Sequence, residues 1–206
     1  DAFLKYGIPG VLKWTAERNS EDTEQTAAYR RGVHEVYEGV REYIHRHEKK
    51  AEAMAGQAAD EAERSRLLEI SRICGKLADG RPETFREALQ LFWFLYLLRS
   101  GFGGGCIGRL DQKLYPFVEK EKQKGSWDAQ EALSDIVQLY RNLNAMIRGD
   151  TLRNLMLSGQ NAAGEDETNE RTCLFLEAYE RTRDAEPHLN VRIHAGTPQK
   201  LKEACI

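Results

Sequence analysis

The sequence lacks any long run of apolar residues. Its densest apolar segment is Phe92–Leu98, far short of the roughly 18 residues that indicate a membrane span. This segment is typical of a buried helix. No secretory signal is visible in this sequence, although a fragment could have lost one, and a membrane is not an expected partner.

A strong excess of charge is also missing. The 206 residues include 30 Lys and Arg against 33 Asp and Glu, a formal net charge of −3. A nucleic-acid surface needs a basic patch, so nucleic acid is not an expected partner. Hydrophobic residues make up 41% of the chain and can form one core. Because no linker or repeat divides the sequence, we predict a single partial domain over residues 1–206.

Familiar small motifs are absent as well. The four cysteines form no Cys-x-x-Cys pair, so we predict free, mostly buried thiols and no metal site. They are Cys74, Cys106, Cys173 and Cys205. There is no dinucleotide-binding glycine motif, phosphate loop or serine elbow, which excludes the usual nucleotide-binding and hydrolase functions.

Helix signals dominate the first half of the chain. We predict a first helix over Ala2–Arg18, kinked at Pro9–Gly10. Ser20–Thr23 offers capping side chains for a long second helix that ends near Ala55. Asp60 then begins a third helix.

The second half mixes helices and strands. We predict that Pro82 lies in the first turn of a buried helix and that Ser126 caps a later one. The best strand candidates are Asn154–Ser158 and Leu189–Ile193, with a helix at about Thr168–Arg183 between them. A strand, helix, strand order favours an α/β barrel.

The second predicted strand has one polar side. Asn190 and Arg192 lie on the same face as His188 and His194, because alternate residues of a strand share a face. In a barrel this side points inward toward polar chemistry, whereas a solvated sheet edge gives the same pattern. Both interpretations stay open, and two histidines without cysteine or carboxylate partners do not indicate a metal.

Five sequence blocks carry the strongest functional signal. One of them, which follows a dense apolar helix and a glycine-rich loop, has the sequence Gly-Arg-Leu-Asp-Gln-Lys-Leu-Tyr-Pro-Phe. The blocks are Phe3–Ile8, Arg86–Phe94, Gly108–Phe117, Leu157–Asn169 and Glu186–His194. In residues and order they resemble the glycyl radical enzyme family, which includes pyruvate formate-lyase and dehydratase, lyase and decarboxylase relatives. The resemblance covers nearly the whole chain.

The resemblance implies a fold and a chemistry. The fold is a helix-rich α/β portion of the family's ten-stranded barrel, namely outer helices plus the first strands. Family chains later supply a cysteine loop, which forms a thiyl radical, and a glycine loop, which stores the radical. Neither precedes Ile206, so we expect an internal fragment that has no catalytic residue of its own and is inactive alone.

The parent enzyme implied by the resemblance carries a glycyl radical installed by a radical S-adenosylmethionine activating enzyme, whereas this chain holds no cofactor. A homodimer and an anaerobic, reducing cytoplasm are implied in the same way. The expected activity is radical cleavage of a C–C, C–O or C–N bond in a small organic substrate. The alternative is a helical binding or scaffold protein derived from the family, without catalysis.

Alignment with the family on the Gly-Arg block implies two pocket positions, Gly103 and Gly104, and alignment through Gly149 and Gly159 implies two more, Ile147 and Arg153. Relatives place small or hydrogen-bonding residues at the first two and aromatic residues at the others. Two glycines enlarge the cavity and remove polar anchors, which favours a bulkier substrate than pyruvate or glycerol. A tight turn explains the same glycines, and that alternative stays open.

Two charged residues and one thiol near this loop have structural interpretations. We predict that Arg109 and Asp111 fix the loop through a charge-assisted hydrogen bond or lie on one side of a helix start. Cys106 occupies the wrong block for the radical cysteine and is predicted to be a small buried thiol.

Overall fold

The computed structural model describes residues 2–17, 22–99, 105–146 and 153–205. This part of the chain contains nine helices and two strands. They are divided between two compact units, Asp1–Glu83 and Thr84–Ile206. The single domain over residues 1–206 therefore stays a prediction.

The first unit consists of three helices: α1 (Ala2–Ala16), α2 (Glu24–Ala55) and α3 (Glu61–Asp79). The long helix α2 packs against both of the others. Apolar side chains from all three are buried between them. They are Ile8, Leu12, Val40, Ile44, Leu67, Ile73 and Leu77.

Side-chain caps begin α2 and α3 as predicted. The Thr23 hydroxyl accepts a hydrogen bond from the Thr26 amide at 3.2 Å. The Asp60 carboxylate accepts one from the Glu63 amide at 2.8 Å. Each cap satisfies an amide that has no partner within its helix, so both helix starts follow from local sequence.

The kink in α1 lies at Gly7 and not at Pro9–Gly10, where we predicted it. Gly7 has φ 69° and ψ −177°, which interrupts the helical backbone. Pro9 then falls in the first turn after the break, where its missing amide hydrogen is tolerated. Glycine provides the kink because it reaches positive φ at little steric cost.

The second unit contains six helices and both strands within its described residues. The helices are α4 (Phe85–Arg99), α5 (Leu110–Lys113), α6 (Tyr115–Lys124), α7 (Ala129–Ala145), α8 (Glu170–Thr182) and α9 (Gln199–Ala204). The strands are β1 (Asn154–Ser158) and β2 (His188–Arg192). No described helix anywhere in the chain combines the length and the apolar character required to cross a bilayer.

Two predicted helix starts are wrong. Pro82 precedes α4, and the Thr84 hydroxyl accepts a hydrogen bond from the Glu87 amide at 3.2 Å. Ser126 does not cap α7 but donates its amide to the Glu121 carbonyl at 2.9 Å, closing the end of α6. Asp128 caps α7 instead, through the amides of the first turn. In both cases a better-placed side-chain oxygen lies two residues further along.

The two strands are parallel neighbours. Asn154 pairs with His188 and Ser158 with Arg192, at the two ends of an unbroken register. The bounds of β1 match the prediction, and β2 begins one residue earlier than predicted. Parallel pairing with α8 as the crossover is the arrangement that the strand, helix, strand order indicated.

Candidate functional site

The strand pair has one apolar face and one polar face. On β1, Leu155 and Leu157 are fully buried. On β2, Leu189 and Val191 are partly buried, while the three polar side chains that alternate with them are exposed. These are His188, Asn190 and Arg192. The predicted polar side of the second strand is therefore present within the part of the chain that the structure describes.

The polar face extends onto β1. Asn154 and Met156 lie opposite His188 and Asn190 in the parallel register. The Asn190 side-chain amide donates to Asn154 Oδ1 at 3.4 Å. The two strands thus present amide, imidazole and guanidinium groups on one surface, which is suited to binding a polar ligand.

The carboxyl end of β1 turns sharply. Ser158 is fully buried and has φ 59°, and Gly159 follows with φ 109°. A Cβ atom at Gly159 would lie 3.1 Å from Arg192 Cδ. The absence of a side chain at Gly159 therefore lets the Arg192 stem lie against the turn.

Asp111 anchors this turn from α5. Its fully buried carboxylate accepts hydrogen bonds from the Ser158 amide at 2.8 Å and the Thr172 hydroxyl at 2.9 Å. The Gln112 amide and side chain donate to it at 2.9 and 3.0 Å. Burial raises the pKa of the Asp111 carboxyl group, and these four hydrogen bonds oppose the rise.

Arg109 pairs with the carboxylate of Glu167 and not with that of Asp111. Its guanidinium donates to Glu167 and, at 3.4 Å, to the Gln160 carbonyl. The Gln112 side chain donates to the Glu167 carbonyl at 2.7 Å. The Gly-Arg block thus holds the loop after β1, through Glu167 and not through a contact between Arg109 and Asp111.

A second polar chain follows the same loop. The Ser158 hydroxyl lies 2.8 Å from the Thr168 hydroxyl, which donates to Asp166 at 2.9 Å. His194 Nε2 lies 2.8 Å from the same Asp166 oxygen, and His194 Nδ1 accepts from the Gly196 amide at 3.1 Å. Since both ring nitrogens are engaged, His194 joins the segment after β2 to the loop after β1.

Three of the four predicted pocket residues, Gly103, Gly104 and Ile147, lie outside the described residues. Arg153 is described and is 2% exposed. Its guanidinium donates to the Met146 carbonyl at 2.9 Å and lies 3.8 Å from Glu186. This geometry gives Arg153 a structural role within the protein, while its part in a pocket stays a prediction.

The cysteines are free, as predicted, but they are not mostly buried. Cys74 is buried, Cys173 is intermediate, and Cys106 and Cys205 are exposed. The prediction of a buried Cys106 is therefore wrong. Burial raises the pKa of the Cys74 thiol to about 11. Across the described ranges, no three His, Cys, Asp or Glu side chains are grouped as metal ligands.

Sequence reasoning missed the residues that complete this network, above all Ser158, Thr168 and Thr172. The first two lie inside the Leu157–Asn169 block, so the block itself was the available signal. Thr172 belongs to the capping box of α8, in which the Asn169 side chain accepts from the Thr172 amide at 3.2 Å. This capping box was the local sequence signal for the position of Thr172.

The fold and the site define a class before any comparison. In the second unit two parallel strands are connected through the crossover helix α8, and α5 holds the carboxyl end of β1 through Asp111, an arrangement typical of an α/β barrel wall. The family model for pyruvate formate lyase-like proteins matches residues 1–206. The chain therefore belongs to the pyruvate formate lyase-like family, whose related proteins here are glycyl radical enzymes.

Curated relatives agree with this assignment. The chain is 33% identical over 178 residues to trans-4-hydroxy-L-proline dehydratase of Clostridioides difficile, covering 78% of this chain and 23% of the relative. It is 30% identical over 207 residues to (2S)-3-sulfopropanediol dehydratase of Klebsiella oxytoca, covering 93% and 25%. The chain thus spans about a quarter of the length of these relatives.

Solved structures place the fold. A glycerol-bound B12-independent glycerol dehydratase from Clostridium butyricum superposes with a TM-score of 0.87 at 27% identity, covering 98% of this chain and 28% of that one. A glycyl radical enzyme from Archaeoglobus fulgidus gives 0.86 at 28% identity, covering 98% and 29%. The predicted fold class, a helix-rich α/β portion of the glycyl radical enzyme barrel, is confirmed.

Proposed function

We propose that this chain forms part of a glycyl radical lyase, dehydratase or decarboxylase that cleaves a C–C, C–O or C–N bond in a small organic substrate. The chain supplies outer helices and two adjacent strands of the barrel wall. Its polar strand face lines the reaction cavity. The radical-bearing cysteine and glycine loops are contributed by other parts of the same enzyme.

The single observation that carries the proposal is the two-faced parallel strand pair. Leu155 and Leu157 are buried, whereas His188, Asn190 and Arg192 are exposed on β2. A strand inside an α/β barrel needs an apolar face toward the helices and an inner face that meets side chains or ligand. The superposition on glycyl radical enzymes supports assigning the two strands to such a barrel.

The chemistry of the proposed cavity is polar recognition. Asn154 and Asn190 can each donate and accept hydrogen bonds, and Arg192 adds a permanent positive charge. The buried network around Asp111 keeps the turn at the strand end rigid, since each buried donor has an acceptor. Such a wall orients a substrate for hydrogen abstraction by a radical located elsewhere.

Substrate size is set in this proposal by Gly103 and Gly104, with Ile147 and Arg153 as further pocket positions. Two residues without side chains leave room that a larger substrate fills, and they provide no hydroxyl or imidazole to hold a small polyol. We therefore propose a substrate bulkier than pyruvate or glycerol.

The proposed partners follow from the class of enzyme. A radical S-adenosylmethionine activating enzyme installs the glycyl radical, and the enzyme acts as a homodimer in a reducing, anaerobic cytoplasm. The isolated chain is inactive, because neither radical site belongs to it.

The test is anaerobic reconstitution of the natural protein that contains this sequence, together with its activating enzyme and S-adenosylmethionine. A glycyl radical signal in electron paramagnetic resonance, with turnover of a small hydroxylated or carboxylated substrate, is the expected result. The matched control is the isolated 206-residue chain, which should give neither. Failure of the natural protein to form the radical under conditions that activate a known relative would leave a non-catalytic binding or scaffold role.

A further inference from the structure

The last residue of β1 adopts an unfavourable backbone conformation. Ser158 has φ 59°, in the left-handed region that is unfavourable for a residue with a side chain. Its parallel partner at the end of β2 is Arg192. Ligands of parallel α/β folds bind at the carboxyl ends of the strands, so this costly turn lies at the edge where substrate is expected.

The Asp111 carboxylate offsets that cost. It accepts the Ser158 amide at 2.8 Å inside a fully buried environment. Its other three contacts are also donors: the Gln112 amide, the Gln112 side chain and the Thr172 hydroxyl. The Asn169 amide donates to Thr172 Oγ1 at 3.2 Å, which leaves the hydroxyl hydrogen for Asp111. All four contacts donate to the Asp111 carboxyl group, whose two oxygens accept them, whereas an amide in its place would bring two donors of its own.

The Ser158–Gly159 turn also positions the positively charged side chain of Arg192. Gly159 directly follows Ser158, and the Arg192 stem lies against it, with Cδ 3.1 Å from where a Cβ would be. The Gly159 carbonyl accepts from the Glu167 amide at 2.8 Å. A shift of the Ser158 backbone therefore moves Gly159, the loop that follows it and the support beneath Arg192.

We propose that Asp111 is a positioning residue for the radical reaction: its carboxylate holds the Ser158–Gly159 turn and, through it, Arg192 at the substrate edge of the barrel. Asp111 does not touch substrate. The inference rests on the proposed function and identifies what the Gly-Arg-x-Asp-Gln block does within it.

The experiment uses the natural full-length protein and compares Asp111→Asn with Asp135→Asn. Asp135 accepts two hydrogen bonds from Arg86, both at 2.9 Å, and serves as a matched loss of a carboxylate in the same unit. We expect Asp111→Asn to lower kcat about tenfold or more with little change in KM, since small misplacements cost up to about 100-fold. The radical signal per protein should stay at the wild-type level, and Asp135→Asn should keep the wild-type kcat.

A second readout needs no activity. Amide hydrogen exchange of the peptide around Ser158–Gly159 should be faster in Asp111→Asn and unchanged in Asp135→Asn. Unchanged exchange at this turn in folded Asp111→Asn protein would overturn the inference, even if the natural protein formed no radical and the proposed function had failed. An active wild-type enzyme whose Asp111→Asn variant keeps kcat would overturn the inference while leaving the proposed function intact.

Two variants of Thr172 test the inference if the Asp111→Asn protein does not fold. Thr172→Val removes one donor to Asp111, and we expect a smaller loss of kcat with faster exchange at Ser158–Gly159. Thr172→Ser keeps the hydroxyl and should restore both values. Equal behaviour of the Val and Ser variants would count against a role for this hydrogen bond and therefore against the inference.

Discussion

The Arg153 guanidinium lies 3.8 Å from the Glu186 carboxylate, and both side chains are 3% exposed. The Glu186 carboxylate also accepts the Arg153 backbone amide at 3.1 Å. This pair joins the residue before β1 to the segment before β2. It gives Arg153 an internal partner at a position where alignment with the family implies a pocket residue.

Replacing Arg153 by Met distinguishes a role in stability, through the pair with Glu186, from a role in substrate binding. Removal of one partner of a buried ion pair typically costs about 3–5 kcal/mol, because the other charge stays buried. We expect a loss of stability in this range on urea unfolding, with partial recovery in the Arg153→Met/Glu186→Gln double variant. A stable Arg153→Met protein with an altered KM would instead favour direct substrate contact.

The kink at Gly7 predicts that alanine substitutions at Gly7 and Gly32 have opposite effects on stability. A Cβ at Gly7 would lie 2.4 Å from the Gly80 carbonyl oxygen, and φ is 69°. We expect Gly7→Ala to cost about 3 kcal/mol or more through backbone strain and overlap. Gly32 lies inside α2 with nothing near its Cβ position, so Gly32→Ala should stabilise by up to about 1 kcal/mol. Thermal unfolding midpoints that move in the same direction would contradict this contrast.

Tyr140 carries a buried hydroxyl that donates to the Phe175 carbonyl at 3.0 Å. Tyr140→Phe should cost about 1 kcal/mol near neutral pH, whereas Tyr29→Phe, at a side chain 68% exposed, should change little. Urea unfolding of both variants measures this difference.

The Tyr140 hydroxyl also predicts how the stability of the protein depends on pH in the alkaline range. Burial raises the pKa of Tyr140 well above its ordinary value, so the unfolded chain loses this proton before the folded one does. The contribution of Tyr140 to stability is complete below about pH 10 and declines as pH rises above it. The stability gap between wild type and Tyr140→Phe should therefore narrow above about pH 10. A gap that widens there would show that the phenol ionises readily in the folded protein.

An ion pair at the start of α8 predicts the opposite dependence at acid pH. The Lys122 ammonium donates to Glu170 and lowers the pKa of that carboxyl group, with help from the Trp127 indole. This contribution is present above the ordinary pKa of Glu and is lost as pH falls through the lower, folded value. Both side chains are about 40% exposed, so Glu170→Gln should cost at most about 1 kcal/mol at pH 7.

The pH series tests this pair against exposed Glu180 on the same helix. The stability difference between wild type and Glu170→Gln should shrink as pH falls below the ordinary pKa of Glu and vanish below the lower, folded value. Glu180→Gln should show little difference at any pH in this range. A Glu170→Gln deficit that persists in acid would point to lost packing instead of lost charge.

Gly104→Ser tests the proposed pocket. If two glycines make room for a bulky substrate, the added hydroxymethyl group should weaken its binding by about 1–3 kcal/mol, measured as KM or inhibitor Kd in the full enzyme. Reduced stability with unchanged binding would instead support the tight-turn interpretation of Gly103–Gly105.

Local signals in the sequence predicted much of the framework. The bounds of β1 and the starts of α2 and α3 follow from a run of strand-forming residues and from the caps Thr23 and Asp60. Where the prediction failed, as at Pro82 and Ser126, a competing side-chain oxygen stood two residues away. Capping depends on a choice among neighbouring oxygens that composition alone does not rank.

The sequence by itself determined the family, the helix-rich α/β class and the polar side of β2, since each depends on residue order or on period-two alternation. Only the tertiary structure decided how the Gly-Arg-x-Asp-Gln block acts. Asp111 takes its partners 47 and 61 residues away, at Ser158 and Thr172, and Arg109 takes Glu167. A buried carboxylate accepts whichever donors packing brings to it, and packing is fixed by contacts that no local pattern encodes.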